Sequence, residues 1–73
     1  MKYNYKLVFK DKSDAIQFAI MLIQYVQLRK DWLKAYEAMR RKNILYVYTD
    51  NYSYLNNYIE SKQYSYNYTI TKL

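Results

Sequence analysis

The chain has 73 residues, a formal charge of +6 and neither His nor Cys. That length supports one domain with a small core, and the missing residue types rule out disulfides, thiol nucleophiles, imidazole bases and the usual zinc ligand sets. The positive balance favours acidic partners (nucleic acid, an anionic surface or an acidic protein patch) and argues against a mimic of DNA.

The first element predicted is a half-buried strand over residues 2–10, KYNYKLVFK. Tyr3, Tyr5, Leu7 and Phe9 fall on one face, and Lys2, Asn4, Lys6 and Lys10 on the other. Asp11 and Lys12 turn the chain, with Ser13 as the expected N-cap and Asp14 placed favourably in the first helical turn. A helix then runs from Asp14 to about Leu28 and carries the densest apolar run in the sequence. Its polar stripe is only Asp14, Gln17 and Gln24, whereas a helix lying on one sheet needs an apolar stripe of only about 100°. The surplus points to cover by the following segment, by a second subunit or by a target. A homodimer through Met21, Tyr25 and Leu28 is expected, because so small a core, lacking disulfides and metals, gains most from association.

Residues 29–42, RKDWLKAYEAMRRK, admit two readings. An unbroken helix over 13–42 would be about 45 Å long, and a compact domain of this size is nearer 30 Å across. The helix therefore breaks around residues 29–31. Beyond the break, 32–42 forms a second helix, as its composition favours, or 33–40 forms a strand that turns back into the next one. Residues 43–49, NILYVYT, are a strand with faces Ile44, Tyr46, Tyr48 and Leu45, Val47, Thr49. Asp50 then caps a short helix over 51–61 that turns Leu55 and Ile59 inward. Residues 63–73 alternate as a last strand, with Tyr64, Tyr66, Tyr68 and Ile70 on its inner face.

Together these elements predict a single α+β domain over 1–73, with a small antiparallel sheet of three or four strands and the helices on one face. If 33–40 is a strand, the arrangement is a ferredoxin-like βαββαβ split sandwich of strand order 4-1-3-2. If 32–42 is helical, it is a three-stranded variant of the same plan. The apolar run over 15–28 is too short to span a membrane and is broken by Gln17 and Gln24, and no signal-peptide pattern precedes it. A cytoplasmic location is expected.

Catalysis finds little support. The acids are scattered at element ends, where capping accounts for them, and a chain without Gly cannot build a phosphate-cradling loop. No metal and no cofactor is expected, since the carboxylates lack calcium-loop spacing. Two features point to binding instead. Arg29, Lys30, Lys34, Arg40, Arg41 and Lys42 gather six of the twelve cations into one segment, around Trp32, a candidate interface anchor. On the sheet, Tyr46 and Tyr48 would share the open face with Lys6 of the neighbouring strand, a mixture suited to stacked bases and phosphates.

Composition suggests the setting. Lys, Asn, Ile and Tyr, which have AT-rich codons, dominate, while Gly and Pro are absent. This predicts a low-GC bacterial or phage source, and part of the Tyr excess follows from that bias. The first functional expectation is a non-enzymatic phage- or mobile-element-type modulator that docks on and inhibits a host protein of replication, transcription or defence. In that case it acts in the host cytoplasm. The alternative is a nucleic-acid-binding module that uses the basic segment and the Tyr/Lys sheet face.

Overall fold

A computed structural model describes residues 2–34, 43–49 and 53–73. The described elements are β1 (Tyr5–Phe9), α1 (Lys12–Gln24), a 3₁₀ turn (Lys30–Trp32), β2 (Leu33–Lys34), β3 (Ile44–Val47), α2 (Ser53–Ser61) and β4 (Tyr68–Lys72). The strands form one four-stranded sheet in the order β2-β3-β1-β4, and every neighbouring pair is antiparallel. The expected α+β architecture is therefore present, with four strands rather than three. Leu33 and Lys34 are extended and pair with Val47 and Tyr46, so a helix beginning at residue 32 is corrected there; the rest of that segment lies outside the described residues. So does Asp50, the expected cap of the second helix.

Alternation in β1 and β3 does what the sequence requires. Tyr5, Leu7 and Phe9 are buried on one face of β1, and Leu45 and Val47 are buried beside them on β3. Against these lie Ala15, Phe18, Ala19 and Leu22 of α1 and Leu55 and Ile59 of α2. Spacings of three and four residues bring each set onto a single helical stripe. At the centre Phe18 is fully buried, its ring 5.7 Å from Phe9, 5.1 Å from Tyr66 and 5.0 Å from Tyr68. No helix of the described residues is long and apolar enough to cross a membrane.

The helix limits differ from those expected. Asp11, not Ser13, occupies the N-cap position, with extended backbone and no side-chain capping bond. Asp14 does fall in the first turn. At the other end α1 stops at Gln24, four residues early, because the chain winds up on itself: Val26 and Leu28 donate backbone bonds to the Met21 and Leu22 carbonyls, and Gln27 takes φ 60°. A non-glycine residue in the left-handed region ends a helix at a conformational cost, and this chain has no glycine to put there.

The last strand is also shorter than its alternation suggested. After α2 the chain turns over residues 62–67, where Tyr66 and Tyr68 donate to the carbonyls of Lys62 and Gln63, and Asn67 takes φ 52° to enter β4. Tyr68 is buried and Tyr66 half-buried, but Tyr64 is 83% exposed and leaves the predicted core. This turn covers part of the surplus apolar surface on α1, while Ile20 stays exposed. The Tyr58 and Tyr66 hydroxyls both donate to the Met21 sulfur, at 3.0 and 3.4 Å, so α2 and the turn close over that side of the helix.

Candidate nucleic-acid interface

The helices occupy one side of the sheet, and among the described residues no helix covers the other. Strand register decides what that open face presents. Lys34 of β2 is opposite Tyr46 of β3, Tyr46 is opposite Lys6 of β1, and Lys6 is opposite Thr71 of β4. These four side chains form one row across the whole sheet, and Ile44, Val8 and Thr69 form the next. Strand spacing places the two lysine backbones about 10 Å apart with the tyrosine between them. The Lys34 ammonium lies over the Tyr46 ring, 5.7 Å from its centroid. Such a contact is worth about 0.5–1 kcal/mol when exposed.

Tyr3 adds a second ring to this face, 6.2 Å from Tyr46 and tilted 44° to it. Simple alternation places Tyr3 on the core face with Tyr5. The cause of the difference is Asn4. Its side-chain oxygen accepts from the Thr49 backbone N–H at 3.1 Å, and its side-chain nitrogen donates to the Thr49 hydroxyl at 3.4 Å. Thr49, fully buried, donates its own hydroxyl hydrogen bond to the Asn56 side-chain oxygen at 2.6 Å. Asn4 is thus drawn toward the helix side although alternation predicts that it faces outward, and its neighbour Tyr3 goes to the open face. No local sequence signal marks this step, because it depends on a buried hydroxyl 45 residues away. Among the described residues no buried side-chain nitrogen or oxygen is left without a partner.

The remaining predicted site residues disperse. Tyr48 lies next to Trp32, its ring edge-on at 5.6 Å, at the β2 side of the sheet. Arg29 is engaged within its own segment: its guanidinium makes a two-pronged pair with Asp31, at 3.1 and 2.8 Å, and lies 5.3 Å from the Trp32 ring centroid. Lys30 is exposed beside it. Arg40, Arg41 and Lys42 lie outside the described residues. Among the described residues of the basic segment, only Lys34 joins the sheet-face row. The three residues assigned to a dimer contact do not share an exposed face either. Leu28 is buried in the core, Met21 is half-buried under two tyrosines, and Tyr25 alone is well exposed.

A groove of about 340 Å³ opens where the end of α1 meets α2, lined by Val26, Leu28, Trp32, Tyr54 and Leu55 with Gln27 and Arg29 at the same site. Its described lining is mostly apolar and includes no titratable pair that would serve an acid–base step. The perturbed groups are elsewhere, in the aromatic core. Burial pushes the Tyr68 hydroxyl well above the usual phenol range, reinforced by Tyr58 and Tyr66, and burial raises Tyr58 in the same direction. Both are neutral hydrogen-bond donors at ordinary pH. Among the described residues no three His, Cys, Asp or Glu side chains converge as metal ligands would.

Comparison with known proteins gives no match: no family model, no curated protein and no solved structure is significantly similar to the chain.

Proposed function

We propose that this protein is a non-enzymatic nucleic-acid-binding module that works through the open face of its sheet. The observation that carries the reading is the row Lys34, Tyr46, Lys6, in register across β2, β3 and β1. Two cations flank one aromatic ring on a surface that no described helix covers, and the chain as a whole carries +6. Lysines at that spacing take phosphates, and the ring between them takes a base.

Titration of labelled oligonucleotides at several salt concentrations tests it. Two phosphate contacts from this row contribute about −1.4 to the slope of log affinity against log salt on a single strand. Lys6→Gln and Lys34→Gln should each weaken binding and shallow the slope by about 1 or slightly less. Absence of binding at low salt, or binding indifferent to both substitutions, would overturn the reading.

A second reading is favoured by the groove between α1 and α2. Trp32, Leu28 and Leu55 line it, and Tyr54, 69% exposed, stands at its wall. Large aromatics at a recess suit a protein anchor, consistent with a phage- or mobile-element-type modulator that docks on and inhibits a host protein. Such a chain, immobilised in a low-GC host lysate, retains one stoichiometric partner and loses it on Tyr54→Glu. Equal retention by both forms counts against the groove.

A further inference from the structure

We infer that the Tyr3–Tyr46 pair makes the open face selective for single-stranded nucleic acid, with Asn4 as the residue that positions the pair. The inference rests on the nucleic-acid reading above and adds to it which strand state is bound and what does the selecting. Charge alone cannot select, since phosphates line single strands and duplexes alike. Base faces can, because a duplex keeps them stacked inside and a single strand offers them to aromatic rings.

The geometry supplies what such a step needs. Two tyrosine rings lie 6.2 Å apart on the same face, one from the segment before β1 and one from the middle of β3. Lys6 stands opposite Tyr46 on β1, and the Lys34 ammonium lies over the Tyr46 ring. A base that stacks on Tyr46 takes the place of that ammonium over the ring, and the phosphate carrying the base falls to Lys6 on the neighbouring strand. No bond is made or broken in this exchange.

Tyr3 belongs to the pair only because of the residue after it. Asn4 uses both ends of its amide on Thr49, and its backbone N–H donates to the Val47 carbonyl at 3.0 Å. The amide end of β1 is thereby pinned to the end of β3, and Tyr3 is held over Tyr46 rather than in the core. Asn4 touches no ligand in this arrangement. It acts through Tyr3.

The test uses the full chain and four probes of equal length: an oligothymidylate, the matching oligouridylate, a strand of abasic sites and a duplex. The abasic strand keeps the charge and removes the bases. The wild-type protein should bind the two base-bearing strands about 5–150-fold more tightly than the abasic strand, the range associated with stacking of one base. It should also prefer them to the duplex, and a difference between the first two probes separates DNA from RNA. Tyr46→Leu and Tyr3→Leu should remove the preference for bases while leaving the salt slope unchanged, and Tyr46→Phe should keep it. Asn4→Ala should lower affinity for the base-bearing strands but not for the abasic one, a difference that a general loss of fold would not produce. Equal binding of base-bearing and abasic strands, still weakened by Lys6→Gln, would overturn the stacking inference and leave the nucleic-acid reading standing. No binding to any probe at low salt would overturn both. Because the abasic comparison is made on the wild-type protein, the outcome does not depend on any variant folding.

Discussion

The Tyr68 hydroxyl donates a hydrogen bond to the Ile59 carbonyl, joining the first residue of β4 to the last turns of α2 inside the core. That contact holds only while the phenol keeps its proton. Burial raises the Tyr68 and Tyr58 hydroxyls above the value of about 10 that they regain on unfolding. Their contribution is therefore fully present below about pH 10 and is lost at higher pH, where the unfolded chain ionises first. Denaturant melts at rising pH should be flat to that point and then fall. Tyr68→Phe should cost about 1 kcal/mol at neutral pH and reduce the alkaline decline. An unchanged decline in that variant would remove Tyr68 as its source.

The Thr49 hydroxyl bridges two asparagines, one just before β1 and one in α2. Thr49→Val keeps the shape but leaves the Asn56 oxygen and the Asn4 amide each short of a partner, at a cost of about 1–3 kcal/mol. The same substitution made on top of Asn4→Ala should cost less, with a coupling of about 0.5–3 kcal/mol in a double-mutant cycle. Strict additivity would show that the three side chains do not act as a network.

Two left-handed residues offer a gain in stability. Gln27 and Asn67 both have positive φ, and glycine would relieve the steric cost at either. Net of glycine's greater unfolded-state freedom, Gln27→Gly should stabilise by about 0.5–1 kcal/mol. Asn67→Gly should gain less, since asparagine visits this region readily. Thermal melts of the two variants against the parent give the comparison, and a loss of stability at Gln27 would contradict the assigned backbone.

The three tyrosines at alternate positions near the C-terminal end differ in what they support. Phe18, in contact with the Tyr66 and Tyr68 rings, should cost about 3–5 kcal/mol on truncation to Ala. Tyr64→Ala, at an 83% exposed position, should change stability by no more than about 0.5 kcal/mol. Chemical denaturation of both measures the contrast, and a large effect at Tyr64 would place it back in the core.

The inner face of each regular element is legible from the residues alone. Leu7, Phe9, Leu45, Val47, Leu55 and Ile59 were legible as core because a strand repeats every two residues and a helix every 3.6, and all six are buried. The strand–helix–strand–helix–strand outline and the placing of Tyr46 and Lys6 on the open face followed from the same periodicities. The tertiary structure decided what periodicity does not encode. Where α1 stops depends on Gln27 taking a conformation that no glycine announces. Which tyrosines are buried depends on a turn over 62–67 that consumes half of an alternating stretch. Tyr3 leaves the core because Asn4 finds a buried hydroxyl far along the chain. The row Lys34, Tyr46, Lys6 exists only through register, a relation between strands rather than within one. Local pattern sets the direction a side chain faces along its own element, and only the paired sheet sets which side chains become neighbours.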